Sequence, residues 1–220
     1  MATVFEDDEM RLPSAGASAE EQEARLMQLG QGEAQRVHAV DPFGGRKART
    51  RQTIGGEREP DGGDQELLNN PKLKANMQKF KGFKAGQENI MFVDTCEKVN
   101  DKVKHQERVL VVTSEAVYNV EPGSFKVKRR IDLRSVDEIS VSCLDDDFLA
   151  MHIPSEYSDY LFVAPRKSEM AMCIKEQVKN LTGRDLKMNV ANGFTYKMSK
   201  VMFSIVFVQT DSGTSVRIYK

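Results

Sequence analysis

Residues 107–133 read ERVLVVTSEAVYNVEPGSFKVKRRIDL, and their pattern decides the fold class. Apolar and polar residues alternate along most of this stretch, which is typical of strands that bury one face of a sheet. The tetrapeptide EPGS at 121–124 carries turn chemistry and separates two such strands. Strands joined by such short connections pair as antiparallel neighbours, so the stretch predicts a β-meander.

The last strand of the stretch, FKVKRRIDL at 125–133, carries an unusual amount of positive charge. Strand spacing predicts one apolar face, made of Phe125, Val127, Ile131 and Leu133. The other face then holds Lys126, Lys128, Arg130 and Asp132. Arg129 breaks the pattern, because its position belongs to the apolar face. One interpretation is a solvated edge strand whose lysines prevent sheet-to-sheet aggregation, and the surrounding residues decide whether the cations have another role.

The alternation with period two continues on both sides of this stretch and predicts seven strands in all. They are expected near 89–98, 107–113, 115–121, 125–133, 136–143, 146–153 and 158–163. One amphipathic helix is predicted at 167–182, with Gly183 as its C-terminal stop. Further strands are expected at about 185–190, 200–208 and 214–219. This order predicts a strongly bent antiparallel sheet or small barrel, mainly β, with one end covered by the helix.

The first 85 residues differ in composition from the rest of the chain. A short amphipathic helix is predicted within 18–40, and a second near 67–80 with Pro71 in its first turn. Between them, residues 41–64 are rich in Gly, Pro and charge and offer little apolar surface to bury. The predicted division is therefore 1–85, an extended, partly helical or disordered segment, and 86–220, a globular domain.

Composition and charge exclude several classes of protein. The net charge is −1, so no overall field attracts nucleic acid, and no nucleic-acid partner is expected. No apolar run approaches the roughly 18 residues of a membrane span, and the acidic N-terminus does not resemble a signal peptide. The three cysteines are odd in number and widely spaced, as is typical of reduced thiols in an intracellular protein.

No constellation of residues indicates catalysis, a metal site or a cofactor. The histidines His38, His105 and His152 are isolated, and no Cys or His pair has metal-ligand spacing. The acidic run at 145–147 lacks the glycine and the terminal glutamate of an EF-hand loop, so it is expected to form a turn. Neither a nucleophile elbow nor a GxxxxGK[ST] phosphate loop is present. The chain is therefore expected to be neither an enzyme nor a motor.

The run ERVLVVTSEAVYNVEPGSFKVKRRIDLRSVDEISVSCLDDDFLAMHIPSEYSDYLF at 107–162 resembles the tail homology 1 (TH1) domain of class I myosins. The pieces that carry the resemblance are VLVVT followed by AVYNVEP, then FKVKRRIDL, then VDEISVSCLDDDFLAMHI. The resemblance covers about 80–220 and implies a pleckstrin-homology-like fold, here as a freestanding domain without a motor. It also implies binding of phosphoinositides and other anionic lipids.

The resemblance further implies a lipid-phosphate site at the open end of the barrel, where the first two strands and their loop meet. The two basic positions of the family correspond to Lys98 and Arg108, and strand parity directs both side chains toward the interior at the mouth. Lys102 and Lys104 lie in the loop between them, so four cations converge. A flanking basic patch is expected to consist of Lys126, Lys128 and Arg130. Arg129 is expected to close the barrel near an Asp or a Glu.

Two functions from different classes remain open. The first is a membrane adaptor that binds anionic lipids through the barrel mouth and links the membrane to the cytoskeleton. The second is a structural subunit of an axonemal or microtubule-associated assembly, without lipid binding, in which residues 1–85 thread between partner proteins. The expected location is the cytoplasm, at the cytoskeleton or the membrane surface, with the cilium or flagellum as the setting of the second function.

Overall fold

A computed structural model describes residues 63–211 and 213–220, so the predictions for residues 1–62 lie outside the described residues. The helices in these ranges are α1 (Gln65–Leu68), α2 (Pro71–Lys79) and α3 (Lys167–Thr182). The strands before α3 are β1 (Ile90–Val99), β2 (His105–Thr113), β3 (Ala116–Val120), β4 (Val127–Asp132), β5 (Glu138–Val141), β6 (Phe148–His152) and β7 (Tyr160–Val163). The strands after it are β8 (Lys187–Val190), β9 (Gly193–Met198), β10 (Val201–Thr210) and β11 (Gly213–Tyr219).

Strands β1 to β7 form the predicted antiparallel meander. They belong to an eight-stranded sheet with the order β4-β3-β2-β1-β7-β6-β5-β8, in which β8 lies parallel to β5. Because β1 pairs with both β2 and β7, the first and last strands of the meander are neighbours and the sheet bends around one core. This pairing places three connections at the same end of the sheet, namely β1–β2, β3–β4 and β6–β7. We call it the open end.

Helix α3 covers the opposite end, which we call the closed end. It packs on the 3-10 helix Leu133–Ser135, in the connection between β4 and β5. The apolar residues predicted for its inner face belong to the central core: Met170, Ile174 and Val178 are buried there, and Leu181 is partly buried. The helix ends at Gly183, whose φ of 73° is favourable for glycine. The predicted helix and its stop signal are therefore confirmed.

A second sheet packs on the outside of the first. Strands β9, β10 and β11 form a three-stranded antiparallel sheet, and their inner face shares a buried cluster with β6 and β7. Alternate residues of β10 supply this face, namely Phe203, Ile205 and Phe207. The predicted strands at 200–208 and 214–219 correspond to β10 and β11. Strand β9 was not predicted, although its sequence GFTYKM alternates between partly buried and buried residues.

Residues 63–84 pack on the outer face of β2, β3 and β4. Leu73 and Met77 of α2 are fully buried in a third cluster with Val111 and Tyr118. Asn70 caps α2, and Pro71 occupies its first turn, as predicted. Helices α1 and α2 thus contribute to a buried cluster on the outer face of the sheet, and the division at residue 85 stays a prediction.

A β-bulge corrects the predicted faces of β4. Val120 pairs with Val127 whereas Asn119 pairs with Arg129, so Lys128 is the extra residue. The extra residue reverses the alternation: Phe125 and Val127 belong to the outer cluster, while Ile131 and Leu133 belong to the central core. The single apolar face predicted for these four residues is therefore wrong, and Arg129 has the parity of the central core.

Candidate functional site

The open end of the sheet brings together residues from three of its strand pairs. Lys98 is the penultimate residue of β1 and lies on the same side of the strand as the buried residues Phe92 and Cys96. Its ammonium nitrogen lies 5.1 Å from the ring centroid of Tyr160, the first residue of β7. This placement gives Lys98 a cation–π contact while its side chain stays partly buried.

Arg108 joins Lys98 from the neighbouring strand, as the sequence predicts. Its backbone pairs with Cys96, two residues before Lys98 on β1. The guanidinium donates to the carbonyl oxygen of Glu107 at 2.6 Å and to Oε1 of Gln106 at 3.0 Å. Within residues 63–211 and 213–220, no carboxylate lies within ion-pair distance of either Lys98 or Arg108.

Arg129 is the third cation of this site, and it comes from β4. Its Nε donates to the hydroxyl oxygen of Tyr160 at 3.0 Å, and its Nη2 lies 2.6 Å from Oε2 of Glu156 in the β6–β7 connection. The Tyr160 hydroxyl in turn donates to the same oxygen of Glu156 at 2.7 Å. The expectation that Arg129 closes the sheet beside an acidic residue is confirmed. We call Lys98, Arg108, Arg129, Tyr160 and Glu156 the open-end cluster.

The electrostatics of the open-end cluster are those of crowded cations. Burial lowers the pKa of Lys98, and the nearby charges of Arg108 and Arg129 lower it further, against the opposing effect of Asp101 and Glu156. A depressed lysine pKa means that the protein does not fully compensate this charge. A bound anion would restore the balance, because it is attracted to all three cations at once.

Two neutral groups, Tyr160 in the cluster and Cys96 beside it on β1, hold their protons tightly. Burial, together with the hydrogen bond to Glu156, raises the pKa of Tyr160 to about 12, so the phenol remains a hydrogen-bond donor. Burial and the charge of Asp94 raise the pKa of Cys96 to about 12. Since the thiolate is the nucleophilic form of cysteine, the Cys96 side chain behaves as a core residue and not as a reactive group.

The loop lysines predicted for the site lie at the rim of the open end. Lys102 and Lys104 are exposed in the β1–β2 connection, where Asn100 Oδ1 accepts both of their backbone N–H groups at 2.9 Å. Lys126 is exposed in the β3–β4 connection. Lys128 pairs with Glu121 at 2.9 Å, and the hydrogen bond to Lys128 lowers the pKa of Glu121.

Arg130 does not belong to the expected basic patch. Because of the bulge at Lys128, its side chain lies on the outer face of β4, where its Nε donates to the Tyr118 hydroxyl at 3.2 Å. Its Nη1 pairs with Asp132 at 3.2 Å. These contacts stabilise the packing of the N-terminal segment near Tyr118, on the face opposite to Arg129.

A line of Ser140, His152 and Asp159 has the connectivity of a hydrolytic triad. Ser140 Oγ lies 2.8 Å from His152 Nε2, and His152 Nδ1 lies 3.1 Å from Asp159 Oδ2. Ser140 is buried, however, with 1% exposure, and its hydroxyl also contacts Asn189. Asp159 accepts backbone N–H groups of Ile153 and Lys197, so the line stabilises the junction of the two sheets. His152 is therefore a hydrogen-bonded residue of the sheet.

The described residues contain no group of three or more His, Cys, Asp and Glu side chains arranged to hold a metal ion. None of the helices in the described part of the chain has the length and apolar content needed to cross a bilayer. Sequence reasoning identified Lys98, Arg108 and the closing role of Arg129. It missed Glu156, which lies between the predicted strands 146–153 and 158–163, and Tyr160, which lies within the second of them.

The fold and the cluster together define a β module with a cationic open end. The sequence profile of a family described as "unconventional myosin tail, actin- and lipid-binding" matches residues 66–220, and the chain belongs to this family. The observed order of seven antiparallel strands and one helix agrees with the pleckstrin-homology-like fold that the resemblance implies.

Known relatives are the heavy chains of class I myosins. The chain is 30% identical to myosin heavy chain IB of Acanthamoeba castellanii over 171 residues, which are 75% of this chain and 14% of that protein. It is 31% identical to myosin IE heavy chain of Dictyostelium discoideum over 121 residues, which are 52% of this chain and 12% of that protein. The chain thus matches about one seventh of these relatives' length or less.

Among solved structures, the hSac2 domain from human phosphoinositide phosphatase Sac2 is similar with a TM-score of 0.40 and 14% identity. The match covers 61% of this chain and 91% of that one. The N-terminal PH domain of human ARAP2 protein is similar with a TM-score of 0.35 and 11% identity, over 47% of this chain and 89% of that one.

Proposed function

We propose that this domain binds anionic phospholipids, phosphoinositides in particular, through the open-end cluster and links the membrane to the cytoskeleton. The observation that carries the proposal is the state of Lys98 and Arg108. They lie on the inner side of adjacent strands, close enough for Arg108 to depress the pKa of Lys98, and within the described residues neither has a carboxylate partner. The crowding of these two cations costs stability in the free protein. An anionic ligand explains why the protein keeps them together.

The geometry favours a phosphate over a carboxylate as that ligand. Three cations from three strands surround the entrance, and a phosphate monoester has enough charge and enough acceptor oxygens to contact all of them. Exposed lysines at the rim, Lys102, Lys104 and Lys126, add a less specific attraction, worth about 1 kcal/mol each near an anionic membrane surface.

The family description supports both halves of the proposal, since it names lipid and actin as ligands. The relatives with known names are myosin heavy chains, which supports an association with the cytoskeleton. The axonemal role considered from the sequence stays a prediction, and microtubule co-sedimentation beside actin co-sedimentation tests it.

Vesicle co-sedimentation of the full chain tests the lipid site. Phosphatidylcholine vesicles with and without phosphatidylinositol bisphosphate are compared for wild type and for the double variant Lys98→Ala, Arg108→Ala. We expect the double variant to lose binding and to keep its melting temperature. Replacing Lys126 and Lys128 by Ala should weaken binding less, because these side chains lie at the rim. Binding should weaken with added salt, as exposed charges are screened beyond about 8 Å at physiological ionic strength.

A matched control removes the same amount of charge elsewhere. Lys179 and Lys187 belong to α3 and β8 and pair with Asp185 and Asp137. Their joint replacement by Ala should leave vesicle binding close to wild type. Equal losses in the two double variants would show that only net charge matters. No binding of wild type to the phosphoinositide vesicles at low salt would contradict the proposed function.

A further inference from the structure

The Glu156 carboxylate occupies the open end in the free protein. One of its oxygens, Oε2, accepts from both Arg129 and Tyr160, at 2.6 Å and 2.7 Å. The same Tyr160 ring faces the ammonium group of Lys98. Glu156 is the acidic member of an otherwise cationic cluster, and its side chain is only 18% exposed. The protein thus places an anion of its own where the proposed function requires an external one.

We propose that Glu156 is an internal competitor of the lipid headgroup: it holds Arg129 and Tyr160 in the free protein, and a phosphorylated headgroup binds by displacing it. This inference rests on the proposed function of the cluster. A phosphate oxygen bound by Arg129 Nη2 and the Tyr160 hydroxyl would take the place of Glu156 Oε2, so the two anions compete for these two donors. A polyphosphorylated headgroup carries more charge than one carboxylate, whereas a singly charged lipid does not. Glu156 therefore selects for highly phosphorylated headgroups.

The connection that carries Glu156 is fixed at its backbone, so that its side chains can respond to a ligand while the strands stay in place. Asp159 accepts the backbone N–H of Ile153 at 3.0 Å, which fastens the two ends of the connection to each other. The backbone N–H of Asp159 donates to the carbonyl of Lys197 at 2.6 Å, so this end is also attached to β9. Between these ends, Tyr157 is 73% exposed. The Glu156 N–H donates to the Ile153 carbonyl and the Glu156 carbonyl accepts from Lys197 Nζ, both at 2.9 Å, so the backbone beside the carboxylate is held as well. Displacement of Glu156 is therefore a rotation of its side chain, which leaves β6 and β7 undisturbed.

Replacing Glu156 by Gln tests the competition, because the amide keeps the shape of the side chain and removes its charge. The matched control is Glu107→Gln, the same charge change at an exposed position beside Arg108, with a side chain outside the cluster. We expect Glu156→Gln to bind vesicles containing phosphatidylinositol bisphosphate about fivefold more tightly than wild type, a factor at the upper end of those that ion pairs near a protein surface contribute. The control should change affinity by less. Binding to vesicles with phosphatidylserine should gain more than binding to bisphosphate vesicles, because selectivity is lost.

A reporter on the loop tests displacement directly. The chain has no tryptophan, so Tyr157→Trp introduces a single tryptophan beside Glu156. Addition of soluble inositol trisphosphate should change the emission of this tryptophan. With Glu156→Gln in addition, the emission of the free protein should already approach that of the ligand-bound form. An emission that does not respond to a headgroup that binds would contradict displacement.

The outcomes separate this inference from the proposed function. If wild type binds and Glu156→Gln binds no more tightly than wild type or the Glu107→Gln control, the competition is overturned and the lipid site stands. If wild type does not bind and Glu156→Gln does, the competition is supported and the wild-type function is contradicted. If neither protein binds at low salt, both proposals fail.

Discussion

Lys98 and Lys167 lie at opposite ends of the same bent sheet, and the chain treats the two ammonium groups differently. Lys167, at the start of α3, is almost fully buried, and its ammonium nitrogen lies 2.7 Å from Oδ1 of Asp146. The Ser142 hydroxyl and the Leu144 carbonyl accept further hydrogen bonds from it, at 3.3 Å and 3.4 Å. Lys98 is partly buried too, but its neighbours are Arg108 and Arg129.

The surroundings of Lys167 and Lys98 distinguish a structural cation from a candidate binding cation. At the closed end, Lys167 and Asp146 compensate each other and join α3 to the β5–β6 connection. At the open end, like charges crowd together, and the carboxylate that approaches them is bound to Arg129. Burial alone does not make a lysine a candidate for binding an anion, whereas burial without charge compensation does.

Removal of Asp146 from its ion pair with Lys167 should change stability most. Asp146→Ala leaves the Lys167 charge buried without its carboxylate, which should lower the free energy of unfolding by about 3–5 kcal/mol. Denaturant titration of the full chain measures the loss. The control is Asp185→Ala, which removes the carboxylate from the exposed Lys179 pair and should leave the melting temperature unchanged. A similar loss in both variants would show that the closed-end pair has no special role.

Removing Lys167, the other partner of the pair, should lower the free energy of unfolding by less than removing Asp146. In Lys167→Met the Asp146 carboxylate stays buried, but it keeps the Ser142 hydroxyl and the backbone N–H of Phe148 as donors. The apolar Met side chain also fits a buried site, so we expect a loss of about 2 kcal/mol. Chemical denaturation at neutral pH measures it. A loss larger than that of Asp146→Ala would mean that Lys167 stabilises the helix start by more than its ion pair.

Much of the fold could be predicted from the sequence, because local patterns determine it. The strands β1 to β7 and the spacing of apolar residues in α3 can be predicted without the structure, and both are confirmed. The bulge at Lys128 is not visible, because it depends on how β4 pairs with β3. That pairing moved Phe125 and Val127 to the outer cluster and separated Arg130 from the expected basic patch.

The residues of the candidate site, like the fold, could be predicted only in part. Lys98 and Arg108 are the positions that the family resemblance implies, and strand parity agrees with it, since each lies on a strand whose inner face is apolar. Glu156 is 27 residues after Arg129 in the sequence, and only the folding of the β6–β7 connection over the open end brings their charged groups together. Contacts that depend on loop geometry have no periodic signal, so the acidic member of the cluster could not be predicted.

At the open end, by contrast, we expect a substitution to increase stability, and by a small amount. Lys98→Met removes a charge that burial, Arg108 and Arg129 all disfavour, so it should raise the free energy of unfolding, by about 0.5 kcal/mol. A lysine whose pKa is lowered on folding destabilises the fold at neutral pH, and this cost disappears as pH rises from the lowered pKa toward the ordinary value of 10.5. The advantage of the variant should therefore shrink as pH rises through that range.

Denaturant titrations of wild type and Lys98→Met at neutral and alkaline pH measure this difference. The control is Lys200→Met in the exposed turn between β9 and β10, which removes the same charge outside the cluster. The control should leave stability unchanged at both pH values. Together with Lys167→Met, the same substitution then destabilises one end of the sheet and stabilises the other. If Lys98→Met is destabilising at neutral pH, its contact with Tyr160 outweighs the repulsion, and Lys98 is a structural residue like Lys167.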